Sequence, residues 1–509
     1  MLRVKVIFSI CLLAVFAVAP VAAQQPLASP LLAGFVPVVP EQGMEINGVQ
    51  NGGNWEPYCD AFGDGTLAAA SIREELPGNT PGTEAGFIFM ADPNNQVQIV
   101  DGFYTETNFP NDPWNSNNDV ARASGNPARI GCDRTPGGTS YMFANEATPW
   151  AFGALFPNFS PGMNYTAQMA TVQLFNRTGF SITPAALAED PKFVPGDTGP
   201  QTDQDRFGGD VIGLSNGGYS VIVEARSTAH SPTGDRWRAC TIYDSSGNRV
   251  TGPFNANIEQ PTARTTGWSN MAAYNGGWAD YPSHENTQNT NGQFTMQFWN
   301  NDGTPQGTWP YILRAAPGDP LAPAGGITTS ISDGGGQGGA RIRSHPASNY
   351  VYYVGRGFGV GGGANAGVYI TKIDATTRQT VGEAFVSDTF DTAVERVMAG
   401  VDANDNIFVC WAEGATNQMI GRLYDDTLAP VTDAFFCFQN SNNGNFTTRR
   451  PSCAMADDGR ILITGRFEGQ GATSIPAYAN SFDDDQVAIV IQIPQPIETS
   501  DVENWKLLD

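Results

Sequence analysis

Helical periodicity is almost missing from this chain of 509 residues. Apolar residues recur at three- and four-residue spacing only in the short stretch PAALAED (184–190), which excludes helical bundles and α/β layouts. Lysine is scarce: only Lys5, Lys192, Lys372 and Lys506 stand beside 23 arginines, and the formal net charge is −24. Such a chain has no broad basic surface, which argues against nucleic acid and anionic membranes as partners. The three histidines, His230, His284 and His345, are far apart, without ligand spacing, and read as isolated polar loop residues. No CxxC pair and no Cys/His cluster occurs, so no structural zinc site is expected. Beyond the first two dozen residues, no apolar run approaches the length of a membrane-spanning helix.

What the N-terminus does have is a processing signal. Arg3 and Lys5 precede an apolar stretch from Val6 to Val18, and Val21 and Ala23 supply the small residues that favour cleavage before Gln24. The stretch is short for a membrane anchor, so residues 1–23 are read as a signal peptide and the mature chain as secreted or extracellular. Six cysteines remain after Cys11: Cys59, Cys132, Cys240, Cys410, Cys437 and Cys453. An even number in an exported chain permits disulfides. Cys59, Cys132 and Cys453 each precede a turn glycine by six residues, and equivalent positions on a ring follow rather than face one another. Buried cysteine acting as a small apolar residue is the competing reading.

Glycine (58) and proline (35) are plentiful, as strands joined by tight turns require. One pattern recurs about seven times: an apolar run, a turn rich in Asp, Asn and Gly, then a second apolar run. It reads EPYCDAFGDGTLAAASI at 56–72, GGDVIGLSNGGYSVIVEA at 208–225 and RRPSCAMADDGRILITGRF at 449–467, with four related versions between them. Each is a hairpin signature, and Asn216-Gly217, Asn275-Gly276 and Asp458-Gly459 are predicted to occupy the tight turns. A third strand follows each hairpin, as in RACTIYDSSGNR (238–249), and a fourth comes just after, as in VTGPFNAN (250–257). Four antiparallel strands make one blade, so the pattern predicts an all-β, seven-bladed β-propeller with blades near 55–110, 118–190, 205–258, 262–313, 327–390, 393–441 and 447–495. The last blade lacks a fourth strand after QVAIVIQIP (486–494), and LLAGFVPVVPE (31–41) fits the vacancy. The expected organisation is a signal at 1–23, an N-terminal segment with the closing strand at 24–54, the propeller at 55–495 and a tail at 496–509.

The hairpin P-x-(V/C)-A-M-x-x-D-G, carried by Pro451, Cys453, Ala454, Met455, Asp458 and Gly459, resembles a repeat common in large exported bacterial surface proteins. Tyr243, Asp244 and Gly247 match its second half, a strand ending in Y/F-D-x-x-G. The likeness spans most of 55–495 but weakens in blades 1, 2, 4 and 5. It implies a secreted or surface propeller and carries no catalytic motif.

The chemical motifs are weak. Gly213-Leu214-Ser215-Asn216-Gly217 spells G-x-S-x-G, but a strand follows where a nucleophile elbow needs a helix. Gly357, Gly359 and Gly362 spell G-x-G-x-x-G between two strands, which a dinucleotide site does not allow. An Asp-box turn, as in sialidase propellers, is not matched; NNDGTPQGTW (300–309) comes nearest. No cofactor is expected. Calcium is the one weak possibility, since Asp483, Asp484 and Asp485 offer oxygen ligands but no D-x-D-x-D-G loop. Arg129, Arg396 and Arg450 precede one inner-strand position by three residues, and Arg206, Arg264 and Arg341 sit close to it in other blades. This axial column either binds an anion through guanidinium forks or, as the favoured alternative, pairs with acidic groups to lock neighbouring blades. Val502, Trp505 and Leu507 form an apolar patch on the tail that suits a subunit contact. The combined expectation is a non-catalytic extracellular binding or structural protein, in a surface, matrix or fibre. Its expected partner is a second copy of itself or an extracellular polysaccharide. The alternatives are a glycan-active propeller enzyme of sialidase-like type and a lectin-like carbohydrate binder.

Overall fold

The computed structural model describes residues 33–43, 54–74, 84–101, 129–147, 169–179, 182–183, 186–187, 210–226, 236–256, 267–284, 294–307, 311–314, 330–331, 340–358, 367–386, 397–413, 418–438, 447–468 and 486–493. They form seven antiparallel sheets and, among the described residues, no helix. The inner strands, in chain order, are Asn54–Ala61, Arg129–Cys132, Asp210–Gly213, Gly267–Tyr274, Ala340–Arg343, Val397–Val401 and Thr447–Met455. Each inner strand packs against the next, and the last packs against the first, so the ring closes into a seven-bladed β-propeller. The PAALAED stretch is not helical where described: Ala186–Leu187 pairs with Met169–Asn176 as the outer strand of blade 2. Blade 5 carries one strand more than expected, Ser330–Ile331, which pairs with the far end of Tyr350–Phe358.

Closure of the last blade is made by the N-terminal strand. Val36–Gly43 lies antiparallel to Gln486–Gln492, with Val36 opposite Gln492 and Gly43 opposite Val487. Two register shifts interrupt the pairing near Pro37 and Pro40. Proline cannot donate to a ladder, so such a strand suits the outer edge of a blade and no inner position. Phe35, at 1% exposure, then reaches past its own blade to Phe435 of blade 6, with ring centroids 5.1 Å apart.

The turns account for part of the acidity. Between the first and second strands, Asp64, Asp133, Asn216, Asp402 and Asp458 each accept the backbone N–H two residues ahead. Between the third and fourth strands, Asp92, Asp244, Asp302, Asp374 and Asp425 do the same. These side-chain turns satisfy N–H groups that the reversal would otherwise strand. Gly217, Gly276 and Gly459 lie at φ +80°, +86° and +82°, placing all three predicted Asn-Gly and Asp-Gly pairs in turns. In blade 1, Leu67 pairs with both Ala61 and Ala91, which puts the two kinds of turn at one end of the blade. One face of the ring is therefore a field of tight, carboxylate-bearing turns.

The core lies between blades. Each described apolar cluster joins two neighbours, as where Ala454, Ala456 and Ala488 of blade 7 meet Cys59, Leu67 and Ala69 of blade 1. Near the axis the inner strands approach so closely that a side chain has no room. A Cβ on Gly213 would fall 1.9 Å from the Cys132 carbonyl oxygen.

Candidate functional site

The inner strand of each blade has one edge without a neighbouring strand, and its N–H groups need acceptors. Side chains from adjacent blades supply them. Asp210 Oδ2 accepts from Met271 N–H at 2.7 Å, Ser452 Oγ from Cys59 N–H at 2.9 Å, and Asp60 Oδ2 from Cys132 N–H at 2.7 Å. Asn270 Oδ1 accepts from Ile342 N–H, and the Asn270 amide donates to Asp210. Four of the seven seams are thus laced by a carboxylate, an amide or a hydroxyl. Sequence reasoning assigned the lacing role to arginine and overlooked these residues, because Asp210, Asn270 and Ser452 differ in type while sharing a place on the strand.

Inside this ring lies a small, partly open cavity of about 40 Å³. Tyr58 and Asp60 of blade 1, Arg134 of blade 2 and Arg343 of blade 5 line its polar side; Val211, Met271, Ala272 and Ala399 contribute apolar wall. Two guanidinium groups approach one tyrosine ring: Arg129 at 4.9 Å and Arg343 at 5.1 Å from the centroid of Tyr58. Such contacts are favourable when desolvated. Burial pushes the Tyr58 phenol well above its ordinary range, Arg343 pulls it back in part, and Asp210, hydrogen-bonded to it, adds to the rise. Asp60 is likewise raised by burial, against the pull of Arg134 and two backbone N–H groups.

The arginine column fares unevenly. Arg129 and Arg341 are buried at 3% and 5% exposure. Arg129 stands three residues before Cys132, the last ladder pair of its hairpin. Arg450 stands five before the matching Met455, and Arg396 five before Val401. Ladder register therefore sets Arg129 two residues apart from the other two. Arg450 lies in Thr447–Met455 with its side chain outside the described set, and Arg206, Arg264 and Arg396 lie outside the described residues, as do Val502, Trp505, Leu507 and Asp483–Asp485. The cysteine column breaks in the same way. Cys59 and Cys453 each lie two residues before the last ladder pair, whereas Cys132 belongs to that pair itself. All six cysteines are buried free thiols. Burial raises Cys59 to about 12 and lifts Cys132, Cys410 and Cys437 well above the usual thiol value. Among the described residues, no group of three or more His, Cys, Asp or Glu side chains could hold a metal ion.

At the turn face the Arg134 side chain crosses the axis. Arg134 reaches from blade 2 to the carbonyls of Val401 in blade 6 and Met455 in blade 7, both at 3.0 Å, and lies 3.6 Å from Asp457. His345, read from sequence as an isolated polar loop residue, is 3% exposed, with Nε2 3.2 Å from Asp457. Its Nδ1 accepts the Ala347 N–H, in the place where other blades use Asp or Asn. Burial and then the charge of Arg134 hold the His345 imidazole below its ordinary value. The folded protein therefore binds this proton less readily than the unfolded chain, so its contribution is lost as pH falls below about 6.5. Asp457 shifts downward overall, because His345 and Arg134 outweigh its burial, so its own contribution fades only near and below the ordinary carboxylate range. His345→Asn keeps an acceptor for Ala347 and removes the titration. The fall in melting temperature from pH 7.5 to 5.5 is expected to be smaller in this variant than in wild type; equal slopes would refute the assignment.

No protein-family model matches the chain, and no curated protein matches it. Solved structures share its architecture. The β-propeller domain of the Trilobed protease from Pyrococcus furiosus is 10% identical, covers 87% of this chain and 98% of its own, and has a TM-score of 0.41. The polysaccharide lyase Uly1 is 9% identical over 90% and 100%, at 0.47. The NanB sialidase from Streptococcus pneumoniae is 9% identical over 91% and 71%, at 0.39. At these identities and scores the likeness carries nothing about ligand or chemistry.

Proposed function

We propose that the protein is a non-catalytic, secreted β-propeller that serves as an extracellular binding or structural module. The observation that carries this reading is the occupation of the axial polar groups. Asp60 and Asp210 accept N–H groups of neighbouring blades, and Tyr58 is kept protonated by burial. A general base or nucleophile needs a free, suitably poised group, whereas here these groups hold the ring. The N-terminal charge, apolar run and small residues support export.

A glycan-active enzyme is the second reading, favoured by the pairing of Tyr58 with Asp210 on the axis. A panel of fluorogenic glycosides, together with a lyase assay on acidic polysaccharides, separates the two. No turnover is expected; turnover abolished by Tyr58→Phe would establish the enzyme and end the non-catalytic reading. Pull-down on insoluble polysaccharides and light scattering of the purified chain then distinguish a carbohydrate binder from a self-assembling subunit.

A further inference from the structure

Arg343 is the axial residue with an unmet requirement. Nη1 donates to the Ile342 carbonyl at 3.0 Å, while Nη2 is buried and donates to nothing. Its remaining close contact is the ring of Tyr58. Among the described residues no carboxylate lies within ion-pair distance of it; Asp60 and Asp210 act on it from farther away and are already bonded to backbone N–H groups. A guanidinium remains charged at any pH the protein meets. Burying it without a counter-ion is costly, and an adjoining cavity is where a counter-ion can be taken up. The cavity is there, about 40 Å³ and open to one side, with Arg343 in its wall.

We propose that the axial cavity binds a small organic monocarboxylate whose anionic end engages Arg343. Three features select this class. A planar carboxylate matches the guanidinium fork better than a point charge does. Val211, Met271, Ala272 and Ala399 give the cavity apolar wall suited to a short aliphatic body. Asp60 and Asp210 add negative charge nearby, which disfavours dianions such as sulfate or a dicarboxylate. The ligand reaches no group poised for chemistry, so the site binds rather than turns over its occupant. This inference rests on the non-catalytic reading of the same cavity, and the two fail separately: glycan turnover lost in Tyr58→Phe ends that reading, whereas absent propionate binding ends this one.

Propionate is the probe, used with the full chain in buffer free of other carboxylates. Saturable binding by calorimetry is expected, together with a rise in melting temperature that grows with propionate concentration. Sulfate and chloride at matched ionic strength are expected to give neither. In Arg343→Gln the propionate response should vanish. Without ligand this variant should melt close to wild type, since the half-buried guanidinium it loses donates only to the Ile342 carbonyl. A structural role for Arg343 predicts instead a lower melting temperature in ligand-free buffer. If the variant does not fold, the wild-type titration still decides: no saturable heat and no propionate signal broadening by NMR up to millimolar concentration overturns the proposal. An equal, Arg343-dependent response to sulfate overturns the monocarboxylate class.

Discussion

A chain lacking residues 33–43 is expected to lose most of its soluble, folded population. Phe35 and Val39 are each 1% exposed, and returning two such side chains to water costs about 3–6 kcal/mol. The whole backbone ladder to Gln486–Gln492 goes with them. That strand would then become the open edge of blade 7, and Val487, Ile489 and Ile491 pack in the same cluster that Phe35 covers. An unblunted apolar edge pairs readily with other chains. Natural domains hold only about 5–15 kcal/mol in reserve. The expected readouts are low soluble yield and oligomers in light scattering, with any surviving monomer melting well below wild type. Phe35→Ala isolates one part of this: it removes the contact with Phe435 and is expected to cost about 3–5 kcal/mol with the strand still in place. A truncated chain with the melting temperature of wild type would mean that the ring does not depend on its N-terminal strand.

That closing strand was legible in the sequence because two independent signs pointed to it: a blade one strand short and an apolar segment with no blade of its own. The hairpins were legible for a local reason. Asn-Gly and Asp-Gly pairs tolerate positive φ, and Gly217, Gly276 and Gly459 adopt it. The axial site was much less legible, since its members come together only through ring closure. Tyr58 and Arg343 are separated by four blades in sequence and meet across the axis. Alignment on turn glycines also misled where turn length varies. The hairpin of blade 4 turns directly from Tyr274 to Gly277, while blade 2 places eight residues between the ladder partners Cys132 and Tyr141. Counting from glycine therefore shifts Arg129 and Cys132 against their supposed equivalents. His345 escaped notice because its surroundings are long-range: Arg134 comes from blade 2 and Asp457 from blade 7.

Arginines that sequence reasoning passed over do lace seams: Arg177 of blade 2 reaches Asp64 and Thr66 of blade 1, Arg422 of blade 6 reaches the Val386 carbonyl of blade 5, and Arg460 joins blade 7 to blade 1. Arg460 follows the turn of blade 7 and is 1% exposed. Its Nε donates to Asp458 Oδ2 at 2.7 Å in the same turn. Nη1 donates to the Asp92 carbonyl at 2.6 Å and to Asn95 Oδ1 at 3.2 Å, and Nη2 donates to the Gly65 carbonyl. One guanidinium thus ties both turns of blade 1 to blade 7, at a seam where the small residues Ala454, Ala456, Ala69 and Ala91 supply little apolar area. Unlike Arg343, every nitrogen of this group has a partner, so its loss leaves acceptors and one carboxylate facing a void. Arg460→Ala is expected to cost about 3–5 kcal/mol, the range for breaking a buried, fully bonded charge. Arg460→Lys keeps the charge but not the fork, and should recover only a minor part. Hydrogen exchange localises the effect: amides of Leu67–Glu74 and Arg460–Glu468 should lose protection first, while those of Tyr219–Arg226 and Gly277–His284 on the opposite side of the ring keep theirs. Loss of protection spread evenly over all seven blades would show that Arg460 supports the ring as a whole and not this seam.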